Sequence, residues 1–342
     1  MNSSFINTIF NTSASTFNQA ALELFAYQYQ HNPIYQQFAK AIGKTPNNVN
    51  NIIDIPYLPI SFFKTHQVIT DSNPPPLQGL GEVPTIFESS GTTQSNTSKH
   101  YVKDLSIYEK SFITNFEQVY GNIDQYCIIG LLPSYLERQN ASLVYMVKEL
   151  IYKSKHAQSG FYLHNYEELY QTLLILEAEQ QPTILMGVTF ALLDFSAKYT
   201  INLKHTIVIE TGGMKGRQKE LTRQEVHHIL CSRLGIQHIH SEYGMTELLS
   251  QAYATHNGIF TCPPWMQVLI RNEQDPLEIH QHKKLQQPIT GAINIIDLAN
   301  IYSCAFIATE DMGTLHPNGQ FEVLGRLDNT DIRGCSLMIN QY

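Results

Sequence analysis

Between residues 84 and 240 short apolar runs alternate with longer stretches of helical period, and this alternation limits the fold more than any other feature of the chain. Strand-like runs fall at 84–87, 127–132, 183–187, 205–209 and 237–240, and helix-like stretches at 142–154, 166–178 and 222–234. A parallel neighbour is reached only through a crossover of roughly a dozen residues or more, so strands spaced by helices predict an α/β fold with a helix-covered sheet. After Ala252 the texture changes to strand-like runs at 265–271, 289–297, 303–308 and 321–324, punctuated by Gly and Pro, which predicts a smaller β-rich subdomain.

Ahead of the alternating region, Ala20, Leu22, Leu24, Phe25, Tyr27 and Tyr29 follow a helical period inside a helical stretch expected over 17–42. Residues 55–64 have prolines within an apolar run and are expected to lie extended. Three prolines at 74–76 fit neither a helix nor a central strand and mark a linker. The expected organisation is therefore an N-terminal helical segment and linker over 1–81, an α/β subdomain over 82–252, and a β-rich subdomain with a C-terminal tail over 253–342.

The chain has 342 residues, room for about two units at ~150 residues each. Its charged fraction is 15%, against a usual value of about 25%, and its apolar fraction is 43%, which together exclude disorder for most of the chain. A net charge of −8 repels nucleic acid and anionic lipid. No Lys or Arg precedes Lys40, and no apolar run approaches the ~20 residues of a membrane span. Cys127, Cys231, Cys262, Cys304 and Cys335 are widely spaced, with no CxxC pair, and are expected to be reduced thiols of a cytoplasmic protein.

Four clusters carry chemistry. Residues 88–99 form a hydroxyl-rich loop with Ser89, Ser90, Gly91, Thr92, Thr93 and Lys99, which offers N–H groups, hydroxyls and a cation to phosphate oxygens. A Walker loop requires a second Gly directly before Lys, which is missing, and a solvated Ser/Thr turn is the plain alternative. Gly212, Gly213, Lys215 and Arg217 follow a strand-like run and precede a helix-like one, where glycines admit a flat or anionic ligand or simply make a turn. In the third cluster, Tyr243, Gly244, Met245, Thr246 and Glu247, the ring can stack on a base and the carboxylate can hold a divalent cation or cap a helix start. The fourth places Asp311 and Arg326 after apolar strands, suited to accept from and donate to ribose hydroxyls, or to form a structural ion pair. His238 and His240 alternate on a strand, but no third residue has a matching metal-ligand spacing.

In this order the four clusters resemble the motifs of the adenylate-forming (acyl/aryl-CoA synthetase-like) superfamily. Residues 59–64, 243–248 and 331–335 resemble more closely the acyl-protein synthetase (LuxE-type) family, the similarity running over about 50–342. The resemblance implies an ATP-dependent ligase that forms a fatty acyl adenylate and transfers the acyl group to a protein cysteine. The alternatives are an acyl- or aryl-CoA ligase or a catalytically weak nucleotide-binding partner subunit. It implies that Ser89, Ser90, Gly91, Thr92, Thr93 and Lys99 cradle the ATP phosphates, and that Gly212, Gly213, Tyr243, Gly244 and Met245 line the adenine and acyl slot. Thr246 would meet phosphate, Glu247 Mg²⁺, and Asp311 and Arg326 the ribose. Gln94 and Glu310 stand where the superfamily usually has Gly.

The implied partners are a fatty acid or other carboxylate and an acyl-accepting protein, such as a reductase, transferase or carrier. In this family a cysteine near the C-terminus takes the acyl group, and Cys335, beside Arg333, matches it; a small packed thiol is the alternative. Seventeen residues follow Gly325, where larger superfamily members carry a mobile lid domain with a catalytic Lys. The expectation is a chain without that lid, in which Lys99, Lys215, Arg217, Mg²⁺ or a partner supplies the transition-state cation.

Overall fold

The computed structural model describes residue 6 and residues 8–70, 84–89, 97–133, 140–212 and 221–327. The helical stretch expected at 17–42 is two helices, α1 (Phe17–His31) and α2 (Pro33–Ala41). Pro33 cannot donate to the preceding turn, and the Asn32 side chain, in extended backbone, accepts from Tyr35 N and starts the second helix. A short strand β1 (Leu58–Pro59) and one turn of helix, α3 (Phe62–Thr65), follow.

The hydroxyl-rich loop joins β2 (Thr85–Glu88) to β3 (Lys99–Val102), an antiparallel pair with Glu88 opposite Lys99. Helix α4 (Leu105–Tyr120) comes next, capped by Asp104. It has no counterpart among the sequence expectations because its buried face includes Ser111 and Asn115, which dilute the apolar stripe. Then come β4 (Cys127–Leu131), α5 (Ser142–Ser154), β5 (Gly160–Phe161), α6 (Tyr166–Ala178), β6 (Thr183–Gly187), α7 (Thr189–Lys198), β7 (Thr206–Glu210), α8 (Arg223–Leu234), β8 (His240–Tyr243) and β9 (Ala252–Ala254). They build a six-stranded sheet in the order β5-β4-β6-β7-β8-β9, parallel except for β9. Strands β4 and β6 are buried at every residue, as the helices on a parallel sheet require. The strand expected at 237–240 starts at His240, because pairing with β7 begins there, His240 opposite Ile209 and Ser241 opposite Glu210.

The remaining strands are β10 (Ile259–Phe260), β11 (Met266–Arg271), β12 (Ile279–His280), β13 (Ile289–Asp297), β14 (Phe306–Leu315) and β15 (Phe321–Arg326). They form a second sheet in the order β10-β15-β14-β13-β11-β12, with β1 added parallel to β14. Two expectations change here. Residue Asp311 lies inside β14, not after a strand, because β13 and β15 pair along it past a register shift. The expected boundary between residues 252 and 253 cuts β9, the last strand of the first sheet.

Buried amides fasten the N-terminal helices to this second sheet. Gln28 Nε2 donates to Asn300 and Ile301 carbonyls at 2.8 and 2.9 Å while its Oε1 accepts from Ala305 N, and Asn32 Nδ2 donates to Ser303 O. Phe25, Tyr35 and Tyr57 pack around Phe306. Among the described residues no helix is long and apolar enough to cross a membrane.

Candidate active site

Ligands of open α/β sheets bind beyond the carboxyl ends of the strands, and the loops there are laced together by backbone hydrogen bonds. Thr211 N donates to Gly187 O at 3.0 Å, and Thr189 N to Gly212 O at 2.9 Å. Gly212 has φ +72°, a left-handed conformation that only a residue without a Cβ adopts cheaply.

Glu210, at the end of β7, anchors this corner. Its carboxylate accepts from Thr189 Oγ1 (2.7 Å), Ser241 Oγ (3.0 Å) and Gly212 N (3.3 Å), with Arg223 Nε in ionic contact at 3.9 Å and His227 Nε2 at 3.7 Å. Burial pushes this carboxyl up, but His227, Thr189 and Arg223 outweigh it and hold the group down at about 2.

Strand β8 delivers Tyr243 to the seam between the two sheets. The Tyr243 hydroxyl donates to Asp311 Oδ2 at 2.8 Å, and its ring packs against Phe260 and Phe321, which stack on each other. Burial and the neighbouring Asp311 push the phenol well above its usual value, so it stays a donor. Asp311 faces Arg326 across β14 and β15, with Arg326 Nε 3.6 Å from Asp311 Oδ1 and Nη2 3.4 Å from Glu310 Oε2. The residue standing where Gly is usual in the superfamily, Glu310, thus shares the arginine.

Beyond Gly244, Thr246 and Glu247 are held from behind. His100 Nδ1 lies 2.8 Å from the Thr246 carbonyl, and its Nε2 lies 3.1 Å from Asn300 Oδ1. Asn300 Nδ2 donates to the Glu247 and Cys304 carbonyls. A neutral imidazole carries one N–H, so His100 donates to only one of Thr246 O and Asn300 Oδ1 at a time; burial lowers this ring to about 4. Farther on, Asp297 accepts from Leu249 N, Ser250 N, Ser250 Oγ and Ala299 N, though burial still pushes it up to about 6.

Glu247 itself is 4% exposed; burial raises its carboxyl, opposed by a bond from Ser98 and the charges of Arg326 and Lys64. A buried carboxyl beside the hydroxyl-rich loop fits Mg²⁺, which takes one or two carboxylates and leaves its other positions to phosphates and water. Among the described residues no three His, Cys, Asp or Glu cluster as a metal centre. The base of the hydroxyl-rich loop is closed by Ser89 N donating to Ser98 O and Ser98 N donating to Ser89 Oγ, both at 3.0 Å, and exposed Lys99 pairs with Glu88 at 3.6 Å.

Of the residues expected at the site, Tyr243, Thr246, Glu247, Asp311 and Arg326 converge, with Gly244 and Met245 between them in the chain. Ser90, Gly91, Thr92, Thr93, Gly213, Lys215, Arg217 and Cys335 lie outside the described residues. Glu210, Glu242, His100, Asp297 and Asn300 belong to the same corner and are absent from the sequence reading. Glu242 directly precedes Tyr243, Asp297 is the last residue of the apolar strand β13 and Asn300 follows it, so adjacency is the signal that marks them.

The two joined sheets define the fold of an adenylate-forming enzyme domain. An open-conformation 2-hydroxyisobutyryl-CoA ligase in complex with 2-HIB-AMP and CoA superposes with a TM-score of 0.61 at 11% identity, covering 93% of this chain and 71% of that one. ATP-bound MatB from Rhodopseudomonas palustris gives 0.51 at 17%, and an ATP-bound RpMatB-BxBclM chimera 0.53 at 16%; each match covers 70% of this chain and 47% of the other. At such identities the likeness is one of fold, and the chain spans about half the length of the two MatB proteins. The family is fixed by sequence: the profile described as acyl-protein synthetase, LuxE, matches residues 2–342, and the chain belongs to that family. None of the curated proteins matches it.

Proposed function

We propose that this chain is an ATP-dependent ligase that activates a carboxylic acid, a fatty acid in the family reading, as its acyl adenylate and passes the acyl group to a protein cysteine. The observation that carries this reading is the convergence of Tyr243, Asp311 and Arg326 with Glu247, whose carboxyl feels the Arg326 charge: an acceptor–donor pair suited to a diol, close to a buried carboxyl beside the hydroxyl-rich loop.

A carboxylate oxygen of the acid attacks the α-phosphorus of ATP, the bond from that phosphorus to the bridging oxygen breaks, and pyrophosphate leaves. No proton moves in this step, so the protein positions the reactants and neutralises charge. Asp311 accepts from the ribose hydroxyls and Arg326 donates to them. Ser89, Ser90, Gly91, Thr92, Thr93 and Thr246 donate to phosphate, with Lys99, Lys215 and Arg217 as the cations, while Gly212, Gly213, Gly244 and Met245 line the slot. Glu247 would hold Mg²⁺, which when bound supplies charge neutralisation on the departing pyrophosphate.

The Cys335 thiolate, its proton already lost to solvent, then attacks the acyl carbonyl. The carbon–oxygen bond to AMP breaks and AMP keeps the electron pair. Coenzyme A is the competing acceptor, as bound in the 2-hydroxyisobutyryl-CoA ligase structure.

Pyrophosphate release that requires both ATP and a carboxylic acid tests the first half. Its absence across acids of graded length sinks both enzyme readings and leaves a nucleotide-binding partner subunit. Labelled acyl that stays on the denatured protein and is lost in Cys335→Ser supports the thiol route. Label persisting in that variant, or release of acyl only with coenzyme A, overturns it.

A further inference from the structure

Native proteins pair nearly all their buried polar atoms, and the exceptions ask for an explanation. Three unpaired polar side chains meet behind Gly244. Among the described residues, Tyr253, 3% exposed, has a buried hydroxyl with no hydrogen-bond partner, and Gln251, 4% exposed, has a buried Oε1 with none. The half-buried Glu242 carboxyl receives no hydrogen bond among the described residues.

Their convergence follows from the strands. Glu242 and Tyr253 are directly opposite in the antiparallel pair β8 and β9, so they share a face. A Cβ at Gly244 would lie 2.5 Å from Glu242 Oε1 and 3.3 Å from Gln251 Cγ, so the carboxyl and the amide arm both fold against the bare backbone of the site loop.

The surrounding groups are already committed. Tyr108 donates to Ser142 O, Tyr120 Oη meets His240 Nδ1 at 3.2 Å, and the Tyr120 ring holds the Tyr253 ring edge-on at 5.4 Å. Asn115 Nδ2 spends itself on the Gln251 carbonyl at 2.7 Å. Nothing among these neighbours turns to satisfy the three groups.

We propose that Glu242, Gln251 and Tyr253 form a subsite for a hydroxyl substituent on the acid, so that the substrate class is hydroxylated carboxylic acids. This rests on the acid-activating reading above and sharpens it. A hydroxyl donates to Gln251 Oε1 and accepts from Tyr253 Oη–H or from a protonated Glu242, which satisfies the donor and acceptor atoms together. A plain hydrocarbon chain leaves all three unpaired. A substituent ammonium needs a charged Glu242, which burial and the charge of Glu210 oppose, pushing that carboxyl up to about 8.

The test compares decanoate with 2-hydroxydecanoate, 3-hydroxydecanoate and 3-aminodecanoate in pyrophosphate release by the full chain. A site built to bond a hydroxyl discriminates strongly against the analogue lacking it, so one hydroxy acid should exceed decanoate at least about tenfold in kcat/KM. Tyr253→Phe and Glu242→Leu should collapse that ratio to about threefold or less, while Glu242→Gln, which keeps a donor and an acceptor, should retain most of it. Decanoate equal to or better than both hydroxy acids, the amino acid as best substrate, or a ratio that survives Tyr253→Phe and Glu242→Leu in folded protein overturns the subsite. If no acid releases pyrophosphate, the acid-activating reading fails. Thermal shift by the acids alone then decides the subsite: a hydroxy acid that raises the melting temperature no more than decanoate overturns it.

Discussion

Two glutamates on neighbouring strands lie close enough for the charge of one to raise the other's carboxyl, yet their surroundings are opposite. On the side of α8, Glu210 is surrounded by hydroxyls, a backbone N–H, Arg223 and His227, and is held at about 2. On the side of α4, Glu242 has tyrosine rings, an unpaired amide oxygen and no hydrogen bond among the described residues, and it rises to about 8. The Glu210 carboxylate is architecture: it accepts from Thr189, Ser241 and Gly212 before any ligand arrives, although His227 Nε2, 3.7 Å away, makes no hydrogen bond among the described residues. An unbonded carboxyl in the same corner is capacity held for something else.

The largest expected effect breaks the Glu210 side. Glu210→Ala leaves Arg223 without its counter-charge and the Thr189 and Ser241 hydroxyls without an acceptor. It should cost about 3–5 kcal/mol of stability, read as a lowered urea midpoint, whereas Glu242→Gln should shift the midpoint far less. Equal losses in the two variants would erase the distinction between the faces.

Next comes the Asp311–Arg326 pair, directly opposite each other on β14 and β15 of the second sheet. Arg326 is half exposed, so its pairing with Asp311 is worth little to the fold, and its effect should appear in nucleotide binding instead. Arg326→Ala should raise the KM for ATP about tenfold or more, a charged hydrogen bond being worth about 1.5–3 kcal/mol, with the melting temperature nearly unchanged. A large fall in melting temperature with normal KM would move this pair to the architectural side.

How much of this corner was legible in the sequence depends on how far apart its partners lie. The motifs holding Tyr243, Glu247, Asp311 and Arg326 are local, and the structure brings those residues together. His100 and Asn300 are 200 residues apart, and Ser250 and Asp297 47 apart, so neither pair leaves a local pattern. The fold divides likewise. Helices α5 and α6 were legible to the residue from buried apolar positions at helical spacing, Val144, Val147 and Leu150 in one and Leu169, Leu173 and Leu176 in the other, whereas α4 interrupts its buried face at mid-helix with Ser111 and Asn115. In β14 the apolar run stops near Ala308, but the strand continues through Thr309 and Asp311 because pairing with β13 and β15 extends it.

Titration separates the two glutamates in sign. Glu210 has a folded pKa below its unfolded value of about 4.3, so its stabilisation is present above pH ~4.3 and is lost as pH falls toward 2. Glu242 has a raised folded pKa, so folding binds its proton. Stability is then complete below about pH 4.3 and falls as pH rises to about 8. Glu242→Gln removes only the second slope: its stability relative to the native chain should climb between pH 5 and 8 and level off above about 8. A difference flat across that window would mean that Glu242 is ionised and paired.

The smallest expected effect is the most discriminating, because it removes a single hydroxyl from each face. Ser241→Ala deletes a donor to a carboxylate, and with the site otherwise intact it should cost about 1.5 kcal/mol or more, as hydrogen bonds to charged groups do. Tyr253→Phe deletes a hydroxyl that has no partner to lose. The ring stays against Tyr120 and the burial penalty of an unsatisfied donor disappears, so the variant should match the native chain in urea unfolding or exceed it slightly. Without substrate, then, one hydroxyl stabilises and the other does not. If Tyr253→Phe costs as much as Ser241→Ala, the hydroxyl is paired in the free protein, and the α4 face is architecture like its counterpart.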